Sequence, residues 1–326
     1  MGARKERCTT TVFFRILLLI PLATAASAAS VWAIEFTGIT FGMVSMSWNT
    51  QLVPAVAERA GFFKDEGLEV RSVTIPSGGP IMMALLTSGQ ADMVLTSLVA
   101  VLRAIASGAP AIIVGGLVDK PDYALAGAKG MKSVGELKGK VVGSTGAGSF
   151  SEFAVIESLR RKGLLRDRDY TLIPVGGTAV RMAALAANRI QGAPLSSGER
   201  VQAENKGFPI LLEIGKTLPE FPFTSVAATK KFAASNPGKV AAVLRALSRA
   251  IRLIRENKDR AVELGKMHGL GGEPGIQRRA LDYIAEDFDV RLKKENVAAL
   301  LNVVGLKGGP EAFFDDSYLR RAGISR

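Results

Sequence analysis

Ile75-Pro76-Ser77-Gly78-Gly79-Pro80-Ile81-Met82-Met83-Ala84-Leu85-Leu86 recurs, one residue longer, as Ile173-Pro174-Val175-Gly176-Gly177-Thr178-Ala179-Val180-Arg181-Met182-Ala183-Ala184-Leu185. Each copy reads as a strand end, a Gly-Gly turn and a helix start. Each then leads through a small-residue turn into another short strand that ends in hydroxyls: Gly89-Gln90-Ala91-Asp92 toward Thr96-Ser97, and Asn188-Arg189-Ile190-Gln191 toward Ser196-Ser197. The register offset stays at 98 to 99 residues across both units. Two similar α/β lobes explain that persistence; convergence on a common turn is the alternative, because Gly-Gly before a helix is by itself a weak signal.

Outward from the repeat, short apolar or alternating runs predict strands at 34–43, 68–75, 93–95, 111–117, 141–143 and 170–174. Helical patterns lie between them, two opened by the first-turn prolines Pro54 and Pro80. Alternation of strand and helix predicts parallel sheets covered on both faces. Tyr123-Ala124-Leu125-Ala126-Gly127 and Phe221-Pro222-Phe223-Thr224-Ser225 read as two hinge crossings, near 125 and 223. Lobe one is then expected at 29–125 and 223–326, with lobe two, 126–222, inserted into it. After Asn236-Pro237 the pattern is helical, and these helices are expected to complete lobe one without chemistry of their own.

The chain has 326 residues, 48% of them hydrophobic, enough to fill two cores. Arg4, Lys5 and Arg7, an apolar run from Val12 to Ala23 and small residues through Ala28 have the layout of a secretory signal peptide. Ala26-Ser27-Ala28 is the expected cleavage motif and Val31-Trp32-Ala33 the second option. Net charge is +12, and taking away four cations and one anion within residues 1–28 leaves +9. The excess is dispersed. Arg245, Arg249, Arg252 and Arg255 read as the solvated side of an amphipathic helix, without the interleaved aromatics of a nucleic-acid surface. Cys8 precedes the apolar run, so it is not placed to carry a lipid, and the mature chain has no cysteine for a disulfide or thiolate site. One histidine, His268, makes a metal or Ser-His-Asp site improbable and reads as a helix-end residue. No cofactor is expected.

Ligands of open α/β lobes bind at the carboxyl ends of strands, where loops enter helix N-termini. That rule selects Ser47, Trp48 and Asn49; Ser77, Gly78 and Gly79; and Thr96 and Ser97 in lobe one. In lobe two it selects Ser144, Thr145, Gly146, Gly148, Ser149 and Phe150, then Thr178 and Ser196, with Thr224 at the second crossing. Helix N-termini favour an anion, so a small anionic ligand held by backbone amides and hydroxyls is expected. Trp48 and Phe150 either stack on the ligand or pack. Arg181 is expected at the surface, with an anion clamp as the other reading.

Pro54-Ala55-Val56-Ala57-Glu58-Arg59-Ala60-Gly61-Phe62-Phe63-Lys64-Asp65-Glu66-Gly67-Leu68-Glu69-Val70 resembles the NMT1/THI5-like group, which includes the sulfonate-, taurine- and nitrate-binding proteins of bacterial ABC importers. Gly89-Gln90-Ala91-Asp92, Leu137-Lys138-Gly139-Lys140-Val141-Val142-Gly143, Asn236-Pro237 and Phe313-Phe314-Asp315-Asp316-Ser317-Tyr318 extend the resemblance over nearly the whole mature chain. Gln191 departs from it where an Asp is common. The resemblance implies an α/β fold of the type II periplasmic binding protein kind, two lobes with the ligand cleft between them. It implies a periplasmic, monomeric binding protein, with a membrane permease and its cytoplasmic ATPase as partners and no nucleic acid. Related yeast enzymes build the thiamin pyrimidine on this fold, but the active-site histidine they consume and their cysteine-rich motif have no match here. The alternatives are such an enzyme, or a binding protein for a neutral pyrimidine precursor.

Overall fold

The computed structural model describes residues 38–44, 48–75 and 78–324; the expected leader, its cleavage motifs, Ser47 and Ser77 lie outside the described residues. Lobe one begins with β1 (Ile39–Val44), α1 (Trp48–Arg59), α2 (Phe62–Asp65), β2 (Val70–Ile75), α3 (Gly79–Thr87), β3 (Met93–Ser97), α4 (Leu98–Ala106) and β4 (Ala111–Val118). Lobe two follows with β5 (Ala124–Gly127), β6 (Lys140–Ser144), α5 (Phe150–Arg161), β7 (Tyr170–Pro174), α6 (Thr178–Ala186), β8 (Gly192–Leu195), α7 (Ser197–Asn205), β9 (Ile210–Glu213) and α8 (Ile214–Thr217). The chain returns through β10 (Thr224–Thr229) to α9 (Lys230–Ser235), α10 (Pro237–Glu256), α11 (Lys258–Met267), α12 (Pro274–Ile284), α13 (Lys294–Val303) and α14 (Ser317–Arg321).

The strand order is β2-β1-β3-β10-β4 in one sheet and β7-β6-β8-β5-β9 in the other, so the two sheets have the same plan. They are mixed, which corrects the expectation of parallel sheets: β10 runs antiparallel to β3 and β4, and β5 antiparallel to β8 and β9. The cause is the crossing itself. A strand that arrives from the other lobe enters at the cleft and runs away from it, whereas its neighbours run toward it. The crossings lie between Val118 and Ala124 and between Thr217 and Thr224. They are tied side by side: the Phe223 N–H donates to Val118 O at 2.8 Å and the Ile214 N–H to Tyr123 O at 3.0 Å.

The interior strand β1 is buried on both faces, as its run Ile-Thr-Phe-Gly-Met-Val requires. Gly42 lets α3 lie close to the sheet, since a Cβ there would stand 2.9 Å from Met82 Sδ. In the repeat, α3 and α6 start 99 residues apart and have nine residues each, as do α4 and α7. Gly79 therefore corresponds to Thr178, Met82 to Arg181, Ser97 to Ser196 and Ala100 to Glu199.

Two expectations about the C-terminal helices change. Arg245 and Arg249 pair with Glu66 at 2.7 Å and Asp65 at 2.8 Å, and Arg255 donates to Phe288 O at 2.6 Å, so this face of α10 is held to the fold and not simply solvated. The helix α12 does not serve lobe one alone: it packs on α7 of lobe two, with Arg279 Nη2 2.9 Å from Glu204 Oε2 and the Arg200 guanidinium 3.9 Å from the Tyr283 ring centre.

Candidate functional site

Between the lobes lies a cavity of about 420 Å³, within the range of small-ligand sites. The N-terminal ends of α1, α3 and α4 reach it from one side and those of α5, α6 and α7 from the other. Asn49, Gly78, Gly79, Thr96 and Ser97 line it from lobe one, Thr145, Ser149, Phe150 and Thr178 from lobe two, and Thr224 from the returning strand.

Five residues selected from the sequence do not line it. Trp48 is 8% exposed; its ring lies against Gly265, and Nε1 donates to Gly271 O at 2.6 Å, so it packs α1 on the C-terminal helices. Ser144 Oγ donates within its sheet to Ile173 O at 3.4 Å. Gly146 and Gly148 shape the turn, with Gly148 at φ 73° and its N–H donating to Glu152 Oε2 at 2.7 Å. Ser196 Oγ donates to Glu199 Oε2 at 2.6 Å and faces a smaller neighbouring chamber.

The expectation of a surface Arg181 is overturned. The side chain has 0% exposure. Its Nε donates to Pro194 O at 2.9 Å, Nη1 to Gly176 O at 2.6 Å and to Thr145 Oγ1 at 2.8 Å, and Nη2 to Thr178 Oγ1 at 3.0 Å. The guanidinium also lies 5.8 Å from the Tyr123 ring centre. All four acceptors are neutral, and burial pulls the arginine below its ordinary pKa. A single sequence reads a charged residue on the first turns of a helix as solvated; here α6 turns it inward behind the cleft wall.

Arg181 also sets the polarity of the wall. Thr145 Oγ1 accepts from Arg181 Nη1 and from Ser151 Oγ at 2.9 Å, so its acceptor capacity is spent and only its proton is left to give. Behind it, Ser151 Oγ accepts from the Thr145 N–H at 2.8 Å and stands 3.2 Å from Ser149 Oγ, which accepts from the Glu152 N–H and caps α5. Thr178 is polarised by the same guanidinium. On the opposite wall, the hydroxyls of Thr96 and Thr224 are fully buried and have no partner within the described residues.

Several lining residues escape sequence reasoning: Tyr123 and Phe223, Ser151, and Glu199. Tyr123 and Phe223 immediately precede β5 and β10, and with Phe150 they form the apolar side of the cavity, Phe150 and Phe223 having ring centres 4.7 Å apart and Tyr123 and Phe223 5.4 Å. Burial pushes the Tyr123 phenol above its usual range. Beside it Asp122 accepts from the Ser197 N–H at 3.2 Å and Oγ at 3.1 Å; burial outweighs these donors and pushes the carboxyl up to about 7. The signal that could have found Glu199 is the repeat, read position by position, since its lobe-one counterpart is Ala100. His268 sits 3.6 Å from Glu58, away from the cavity lining.

A family model described as NMT1/THI5 like matches residues 49–261. The 4-amino-5-hydroxymethyl-2-methylpyrimidine phosphate synthase of Candida albicans (strain WO-1) is 29% identical over 210 residues, covering 60% of this chain and 60% of that enzyme. Among solved structures, the periplasmic aliphatic sulphonate binding protein SsuA of Escherichia coli has a TM-score of 0.69 at 20% identity, covering 82% of this chain and 85% of that one. The alkanesulfonate-binding protein SsuA of Xanthomonas axonopodis pv. citri bound to MOPS has a TM-score of 0.70 at 19% identity, covering 87% and 96%. These two likenesses show the two-lobed periplasmic binding protein fold.

Proposed function

The chain belongs to the NMT1/THI5-like family, and on that premise we propose that it is the extracytoplasmic solute-binding protein of an ABC importer, capturing a small anionic compound between its lobes and handing it to a membrane permease driven by a cytoplasmic ATPase. The observation that carries the anion is Arg181: a buried guanidinium whose four protein hydrogen bonds all end on neutral oxygens. Glu199 acts on it through space but forms no ion pair with it among the described residues, so much of the cost of burying the charge stands, and a sulfonate, carboxylate or oxoanion received by the Thr145 and Thr178 hydroxyls would relieve that cost one bond away. Gly79, Ser97 and Thr224 line the other wall, so the ligand completes its contacts only when the lobes meet on it. That difference in affinity favours closure about the two crossings, a hinge motion for which periplasmic binding proteins are a standing example.

An enzyme like the pyrimidine synthase draws no support from the cleft, because the chain's single histidine lies elsewhere. Calorimetry with small sulfonates, carboxylates and oxoanions against neutral sugars tests the reading. At least one anion should bind more tightly than every neutral compound; the reverse ranking would end the charge argument. With that anion at saturation, small-angle scattering should give a smaller radius of gyration than the free protein, and identical curves would rule out closure on this scale. The exported protein should lack residues 1–28 by intact mass.

A further inference from the structure

Helix α12 adds a tie between the lobes to the two crossings, and its two sides differ in chemistry. Toward lobe one it is fixed by apolar packing and by ion pairs to α11: Leu281 and Ile284 are buried in the main core, Lys258 Nζ lies 2.6 Å from Asp282 Oδ1, and Arg278 Nε lies 3.0 Å from Asp259 Oδ1. Its lead-in is pinned to α1, since Leu270 is buried and Gly271 O accepts from Trp48 Nε1. Toward lobe two it meets α7 through polar groups. Arg279 donates from Nη2 to Glu204 Oε2 at 2.9 Å and from Nη1 to Asn205 Oδ1 at 3.1 Å. The Tyr283 hydroxyl donates to Glu204 Oε2 at 3.2 Å, and the Arg200 guanidinium lies 3.9 Å from the centre of its ring. Gln277 reaches the start of the same helix, where a Cβ on Gly198 would stand 3.2 Å from its Oε1.

The repeat shows that the scaffold does not impose this polarity. On α4 the counterparts of Arg200 and Glu204 are Val101 and Ile105, which pack in the core. The helix face that lobe one seals with hydrocarbon therefore carries, in lobe two, charges and hydrogen-bonding groups that water can replace, as surfaces that part and meet again do. Arg279 and Tyr283 are exposed by 49% and 37%, and contacts at that exposure hold weakly and let go. We propose that α12 is a latch: anchored on lobe one, it grips α7 through Arg200 and Glu204, holds the empty protein in the present arrangement, and releases α7 when lobe two swings away about the crossings. The share of empty molecules kept in this arrangement sets how much of a ligand's intrinsic affinity is realised. The latch needs no ligand, so it stands or falls apart from the anion reading.

A spin-label distance across the cleft tests it on the ligand-free full chain. In a Cys8→Ser background, Ala84→Cys and Ala183→Cys place labels at exposed, matching positions of α3 and α6, one on each lobe. This parent should show one dominant short distance. Arg279→Ala with Tyr283→Leu should raise the ratio of long to short distances by about five- to thirty-fold, the effect of losing an exposed ion pair together with a hydroxyl donor and a cation over a ring. Raising sodium chloride from about 0.1 M to about 1 M, which cuts the reach of a charge from about 10 Å to about 3 Å, should shift the parent in the same direction and the double variant much less. An unchanged distribution in the folded double variant would overturn the latch, and so would a salt shift as large there as in the parent. If the double variant does not fold, Tyr283→Phe, which keeps the ring and removes one hydroxyl, and the salt series on the parent decide: no shift in either would overturn it. Failure of every anion to bind would end the functional reading and leave the latch standing.

Discussion

The two copies of the turn-helix-strand-helix unit have the same backbone and opposite chemistry at the cleft. In lobe one the three matching positions are Gly79, Met82 and Ala100; in lobe two they are Thr178, Arg181 and Glu199. Lobe one uses them to pack. Gly79 is pressed against Ala100 and lies where a Cβ would stand 2.9 Å from Ser97 Oγ, and Met82 is buried on the sheet. Lobe two spends the same positions on polarity, placing a cation behind the wall, a hydroxyl on it and a carboxylate beside it. A duplicated scaffold thus has one half whose matching positions pack and another whose matching positions are polar or charged, and under the proposed function it is the second half that selects the ligand.

Arg181→Met gives lobe two the residue that lobe one carries, and is the hardest test of this division. Removing a buried charge that a ligand answers should weaken anion binding by about 2–5 kcal/mol, roughly thirty-fold to several thousand-fold. It also leaves Pro194 O and Gly176 O without their donor, at about 1–3 kcal/mol each in stability. Calorimetry beside urea unfolding separates the two costs. Retained anion affinity in a folded variant would break the comparison.

The opposite exchange, Gly79→Thr, asks whether lobe one tolerates what lobe two needs. The added side chain meets Ala100 and Ser97 at once, an overpacking that should cost about 1–3 kcal/mol. A drop in the urea midpoint at unchanged slope is the expected result. If stability holds, the close approach of α3 to α4 is not what keeps glycine there.

The repeat made the paired lobes, the cleft and the hydroxyl-bearing loops legible, because Gly-Gly turns and apolar helix faces are local patterns. What escaped depends on meetings between distant segments. Arg181 reads as solvated until Pro194 O and Thr145 Oγ1 are seen to receive it. Trp48 follows a strand, as a stacking residue should, yet it turns toward Gly265, more than two hundred residues on. Tyr123 and Phe223 reach the cleft only because β5 and β10 are inserted antiparallel, and strand-helix alternation carries no trace of that.

The first N–H of α4 and of α7 sharpens the comparison at the crossings. Leu98 N–H donates to the Phe223 carbonyl at 2.9 Å, whereas its counterpart Ser197 N–H donates to the Asp122 carboxylate. Only the second acceptor titrates. Asp122 has its pKa raised from 3.8 to about 7 in the folded protein, so between those values the folded state holds a proton that the unfolded state has lost. Its contribution to stability is full below pH 3.8, falls as pH rises toward 7, and is flat above it. Asp122→Asn should remove that downward slope between pH 5 and 7 in urea midpoints measured against wild type. An unchanged slope would place the titration elsewhere.

The smallest expected effect comes from the two matching serines. Ser97 Oγ accepts from the Ala100 N–H at 3.3 Å and caps α4, while Ser196 makes no cap and donates to Glu199 instead. Ser97→Ala should therefore cost about 0.5–2 kcal/mol of stability through the lost cap. Ser196→Ala should cost less in stability, because α7 keeps Asp122 as the acceptor for its first N–H. Urea midpoints taken on both variants check this. Equal losses of stability from the two serines would mean that they do the same work and that the lobes differ less than their side chains suggest.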